Sequence, residues 1–143
     1  HRAEYLDENI RWEGRGDFKR EGCPDCQSRK REPVGAAEYR CLDCFLPDLS
    51  CKSCCVKRHQ RLPFHTVEAS HFFALIILSL RDLGLEIHLN HASMRCPLPI
   101  PCHQDLKIID VNGIHDACIS YCGCQRAIAR HIQLLRRGLY PAS

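Results

Sequence analysis

The chain has 143 residues, enough for one domain or two small ones, and pairs 12 cysteines with 9 histidines at a formal charge of +3. The longest apolar run, Phe72 to Leu80, is nine residues, too short to span a bilayer, and no apolar leader follows His1. Nothing in the sequence points to an oxidising compartment, so reduced thiols are the working assumption. The chain opens on His1 and reads as a processed product or a piece of something longer.

In chain order, Glu4 to Trp12 is predicted to be a short helix ended by Gly14-Arg15-Gly16. A cysteine-rich stretch runs from Cys23 to His65. Val67 to Leu83 is apolar at helical spacing, with Gly84 as its C-cap. Leu85 to Asn90 alternates and reads as a strand, and Cys96 to Pro101 as a proline-rich loop. Lys107 to Val111, Asn112-Gly113, then Ile114 to Tyr121 reads as a hairpin with a type I′ turn. Gln125 to Arg137 is predicted to be a helix packing through Ile128, Ile132 and Leu135 and ended by Gly138. The expected fold is a small, irregular α+β domain stabilised by zinc. Residues 1–66 hold an N-terminal helix and a two-zinc, B-box-like cross-brace. Residues 67–143 hold a helix, the hairpin, a third zinc site and a C-terminal helix.

Cys23-Pro24-Asp25-Cys26, Cys41-Leu42-Asp43-Cys44 and Cys51-Lys52-Ser53-Cys54 are three Cys-x2-Cys pairs, followed by His59 and His65. This spacing lets two sulfurs from one tight turn reach a single metal while backbone N–H groups face them. Eight such residues are the number two tetrahedral sites require. Two pairings are open. A cross-brace gives Cys23, Cys26, Cys51 and Cys54 to one zinc and Cys41, Cys44, His59 and His65 to the other, an order like that of a B-box finger. A sequential pairing makes Cys51, Cys54, His59 and His65 one site, like a zinc knuckle that binds single-stranded nucleic acid. The cross-brace is favoured because Cys41 to Cys54 reads as one compact unit. His91, Cys96, Cys122 and Cys124 supply four further ligands for a third zinc. The bland alternative is a surface histidine with core cysteines. Cys55, Cys102 and Cys118 are left over as small buried hydrophobes, with Cys102-His103 as a further candidate pair. Nine thiolates and three zinc ions would bring the formal +3 to zero, so nucleic-acid affinity would rest on local basic clusters. Those are Arg29, Lys30 and Arg31; Lys57, Arg58 and Arg61; and Arg130, Arg136 and Arg137, with Arg126 on the same final helix.

Several ordered motifs accompany the cysteines: Tyr39-Arg40-Cys41-Leu42-Asp43-Cys44, the Cys-Cys-Val-Lys-Arg-His run ending at His59, Leu62-Pro63-Phe64-His65 and Asp82-Leu83-Gly84-Leu85. Asp110-Val111-Asn112-Gly113-Ile114-His115, Cys122-Gly123-Cys124 and Gln133-Leu134-Leu135-Arg136 complete the set. Together, from about Trp12 to the C-terminus, they resemble the CxC-type cysteine-cluster domain, second class, associated with KDZ (Kyakuja–Dileera–Zisupton) transposases. The resemblance implies a zinc module lying N-terminal to an RNase H-like core, whose acidic metal-binding residues would fall beyond Ser143. It implies DNA as partner, or docking to a protein, and strengthens the third zinc site. One departure is Glu68 to Phe73, which stands where the family tends to have a Trp-containing linker.

The chemistry of an enzyme is missing. There is no His-Glu-x-x-His, no His-x-Glu, no P-loop and no Gly-x-Ser-x-Gly. Every site that can be assembled has four protein ligands and no open position for water. The expectation is therefore a non-enzymatic zinc module, DNA-binding or, alternatively, a B-box-like protein-interaction module without nucleic-acid contact. No small-molecule substrate and no membrane are expected, and the location is expected to be intracellular, in the nucleus.

Overall fold

The computed structural model describes residues 1–14, 22–45, 48–71, 74–91 and 95–142. The chain divides into two compact units, His1–Lys57 with Thr66–Leu78, and Arg58–His65 with Ser79–Ser143. Both combine short helices with short strands, as expected for a small mixed α and β fold. Among the described residues no helix is long and apolar enough to cross a membrane.

The first unit contains α1 (Arg2–Glu13), α2 (Pro24–Ser28), β1 (Tyr39–Cys41), most of α3 (Lys52–Arg58), β2 (Val67–His71) and β3 (Ala74–Leu78). Helix α1 covers the predicted span. Of its expected stop signal, Arg15 and Gly16 lie outside the described residues. The predicted helix from Val67 to Leu83 is not formed. Its first half is a hairpin, β2 pairing with β3 and with β1 in a three-stranded antiparallel sheet, and its second half is a turn. Phe72 and Phe73 lie outside the described residues. Two forces override the helical spacing. Val67, Ile76 and Ile77 are β-branched and suit a pleated strand. Glu68, which a solvent-facing helix would leave in water, is buried beside Arg40 across the Arg40↔Glu68 register.

That ion pair ties the sheet to α1. Arg40 Nε pairs with Glu68, while its Nη1 and Nη2 donate to the carbonyls of Trp12 (3.0 Å), Gly14 (2.7 Å) and Glu13 (2.7 Å), the orphan acceptors at a helix C-terminus. Arg40→Ala would leave the Glu68 carboxylate buried and unpaired. The expected result is a loss of about 3 kcal/mol, with fraying of α1, measurable by denaturant titration. An unchanged midpoint would contradict it.

The turn from Ser79 to Gly84 is local chemistry. Ser79 N–H and Oγ donate to Asp82 Oδ2 (2.9 and 2.7 Å), and Asp82 N–H donates back to Ser79 Oγ (3.1 Å). These bonds hold the Asp82 carboxyl below its usual range. Gly84, at φ 86°, ends this turn rather than a helix.

The second unit contains β4 (Glu86–His88), β5 (Pro99–Pro101), β6 (Lys107–Asp110), β7 (Gly113–Asp116), β8 (Cys118–Cys122) and α4 (Arg130–Leu135). Strand β8 is central, parallel to β4 and antiparallel to β5. The expected proline loop is thus partly the strand β5, which keeps its prolines at a sheet edge. Leu89, Ile108, Ala117 and Ile119 form the core, with Phe64, Ile87, Leu106 and Leu134 packed on it.

The hairpin β6–β7 stands where predicted, but Asp110 pairs with Gly113, so the loop residues are Val111 and Asn112. Gly113 takes the positive φ, 145°. Of the hairpin's apolar residues only Ile108 is buried; Ile109, Val111 and Ile114 are exposed. The expected second strand splits at Ala117, and Cys118, taken as buried, is exposed at the start of β8. Helix α4 is shorter than predicted. It buries Gln133 and packs Leu134, leaving Leu135 exposed.

Candidate metal centres

The twelve cysteines carry no disulfide. Nine of their sulfurs, with three histidines, gather instead into Cys23–Cys26–Cys51–Cys54, Cys41–Cys44–His59–His65 and His91–Cys96–Cys122–Cys124. Within each group the ligand atoms all lie within 4.8 Å of one another. The grouping follows the interleaved pairing, not the sequential one.

In the first group each pair sits where a helix begins. Cys23 caps α2, with Pro24 at the first helical position, and Cys51 directly precedes α3. The two turns are joined through the backbone. Cys23 N–H donates to Gly35 O (3.0 Å), and Tyr39 and Ser50 exchange two bonds (3.0 and 2.8 Å) that set Cys51 beside β1. Gly35 must be glycine, because a Cβ there would stand 2.6 Å from Cys51 Cβ. In the second group, Leu42 N–H donates to Thr66 O (2.9 Å) and Thr66 N–H to Asp43 Oδ2 (2.6 Å). The His59 and His65 rings are 5.5 Å apart, edge to face.

The third group forms around the end of β8. Gly123 separates two ligands and has no room for a side chain: a Cβ would stand 2.8 Å from Ile100 Cδ1 and 3.0 Å from Leu98 O. Cys96 is held by its N–H, which donates to His88 Nδ1 (2.8 Å), while His88 Nε2 lies 3.3 Å from Glu86. Ser120 Oγ donates to Glu86 in turn, and this bond first, then His88, lowers the Glu86 carboxyl against the effect of burial.

The distances test whether zinc fits. Zn–S bonds of about 2.3 Å separate tetrahedral neighbours by about 3.8 Å, and a sulfur from an imidazole nitrogen by about 3.6 Å. Cys26 Sγ lies 3.7 Å from Cys51 Sγ and 3.6 Å from Cys54 Sγ. Cys96 and Cys124 are 3.8 Å apart, and His91 Nε2 is 3.1 and 3.6 Å from Cys122 and Cys124. A disulfide would need about 2.05 Å. The separations in the first and third groups fit a closed tetrahedral ion, and the four ligand atoms of the second, all within 4.8 Å, are close enough to share one. Such an ion acts as a cross-link.

The electrostatics agree. Burial pushes the Cys41 thiol up to about 12, and Cys44 adds to it. Burial and the Cys26, Cys51 and Cys23 thiols raise Cys54 to about 12. Burial opposes ionisation of Cys51, yet the Ser53 hydroxyl (3.3 Å) and the Cys54 N–H bring it down to about 6. In the third group the Cys124 N–H lowers Cys122 to about 6, and the Cys122 sulfur raises Cys124 to about 11. In the first group Cys51 thus ionises readily while Cys54 resists, and in the third Cys122 ionises readily while Cys124 resists. A divalent cation would remove that resistance, releasing protons as it binds.

One family model meets these residues. Residues 80–143 match the CxC2 like cysteine cluster associated with KDZ transposases. The matched CxC2 segment is less than half of the chain. It contains the whole third group, whereas the first two groups lie outside it. No curated protein and no solved structure matches the chain.

Every metal ligand expected from the sequence therefore stands in a group able to hold an ion. Cys102 does not: its Sγ donates to the Tyr121 hydroxyl (3.3 Å), and among the described residues Cys102 and His103 join no such group. Arg29, Lys30, Arg31, Lys57, Arg58, Arg61, Arg130, Arg136 and Arg137 are all exposed. Of these, Arg130 lies 5.5 Å over the Tyr121 ring, and Arg137 Nη2 donates to His91 O (2.7 Å). Sequence reasoning missed Gln133 as a site residue. Its amide holds the main chain of Cys122, and its only signal was its place in the Gln-Leu-Leu-Arg motif.

Proposed function

We propose that the chain is a non-enzymatic module folded around three zinc ions, which docks a transposase-like protein on DNA. The observation that carries this reading is the attachment of each basic cluster to a metal group. Arg31 N–H donates to Cys26 O (2.9 Å), fixing the Arg29–Arg31 turn on the first group. Lys57 and Arg58 extend α3 from Cys54 to His59. Arg137 bonds the His91 carbonyl. Metal sites would present exposed cations at fixed positions, which is what sequence-independent contact with phosphates needs. Four protein donors per group support a structural rather than a catalytic role, since a catalytic zinc keeps a position open for water. Action on DNA would place the protein in the nucleus, with no small-molecule substrate and no membrane.

A second reading, a B-box-like protein-docking module, is favoured by the interleaved ligand groups and by Leu75, Ile76 and Ile77, three consecutive exposed apolar residues on β3. Salt dependence separates the two. Binding of the zinc-loaded chain to duplex DNA is expected to weaken with salt, the slope of log K against log[salt] falling by about 0.9 per phosphate contact. Replacing Arg29, Lys30 and Arg31 together by Ala should shrink that slope by on the order of 2. No salt-dependent binding would defeat the DNA reading and leave protein docking.

A further inference from the structure

We propose that Gln133 and Arg137 are positioning residues of the third metal centre, so that docking of α4 and metal binding by His91, Cys96, Cys122 and Cys124 are one coupled event. This rests on the reading that the group holds zinc.

Strand β4 ends at His88, and Leu89 N–H makes the last bond to β8, at Ser120 O (2.9 Å). Asn90 then turns away at φ 63°. On its other side β8 pairs with β5 through Tyr121↔Ile100 and Gly123 N–H to Leu98 O (2.8 Å). The Cys122 peptide groups, which alternate with these, face the side that β4 has left. The Gln133 amide stands where the next peptide of β4 would. Its Oε1 accepts from Cys122 N–H (2.7 Å), and its Nε2 donates to Cys122 O (3.2 Å) and Ile128 O (2.8 Å). At 1 % exposure the amide has no water to fall back on. One turn further on, Arg137 donates to His91 O. Helix α4 and the turn that ends it thus hold the main chain of two candidate ligands that face each other at 3.1 Å (His91 Nε2 to Cys122 Sγ). Residues that fix ligand orientation in this way set metal affinity without touching the metal.

The test uses the full chain loaded with zinc, titrated against a chromophoric chelator, and the same proteins loaded with Co(II) to report the Cys3His ligand field. Gln133→Met and Arg137→Ala are each expected to weaken the third ion by about 10- to 100-fold, with the first two ions unaffected and the Cys3His Co(II) bands perturbed. Coupling is reciprocal, so Cys124→Ser should speed amide exchange across residues 130–135. Arg137 is exposed, so its variant speaks even if Gln133→Met folds poorly. Third-ion affinity within twofold of wild type in Arg137→Ala, or equal weakening of all three ions in both variants, overturns the coupling. A wild-type chain that never takes up a third ion defeats the zinc reading itself, and this inference with it.

Discussion

Stripping metal from the chain with excess chelator at neutral pH is expected to abolish its cooperative thermal transition. The reason is the thinness of the apolar core. Among the described residues, eight of the buried apolar ones are cysteines, seven from the three groups and Cys55, and the first unit otherwise buries only Ala37, Leu49, Val67 and Ala69. The α1 helix buries no residue at all. Small domains with little core depend on staples. Structural zinc supplies on the order of 10 kcal/mol or more per site, comparable with the whole stability of an ordinary domain. Without the ions, burial opposes ionisation of Cys41 and Cys54, and the Cys122 sulfur opposes that of Cys124. Circular dichroism with and without chelator checks this. A sharp transition that survives complete removal of metal would contradict it.

The second large effect concerns the second unit. Replacing Cys122 and Cys124 together by Ser is expected to lower bound zinc by one ion and to unfold β8 and α4. Strand β8 is the centre of its sheet, and its last residue, Cys122, stands in the third group able to hold a metal. The loss is on the order of 10 kcal/mol, more than the four-residue core of Leu89, Ile108, Ala117 and Ile119 can absorb. Hydrogen exchange should show residues 118–135 unprotected, with β1 to β3 still protected because their two groups are intact. Native-like protection of β8 in the variant would refute the role given to the third ion.

The candidate ligands of the first two groups were legible because Cys-x2-Cys and His-x5-His spacings are local: the turn that brings two sulfurs together is encoded by adjacent residues. The hairpin at Lys107 to Asp116 was legible for the same reason, although the Asn-Gly signal put its turn one residue too late. The segment from Val67 to Leu83 was misread because its partner is distant. Nothing near Glu68 announces that Arg40 will pair with it, and a short apolar run fits a strand as well as a helix. The final helix was overextended, and its packed face misassigned, for a related reason. Its buried polar residue, Gln133, is explained by the end of β8, which lies eleven positions away. The extended pairing of Pro99 to Pro101 was likewise hidden, since proline argues for a loop unless the strand is known to lie at an edge.

Metal content by native mass spectrometry, on the full chain purified under reducing conditions, tests the central claim most directly. Three zinc ions per chain are expected. A chain carrying no metal, yet folded, would contradict the claim.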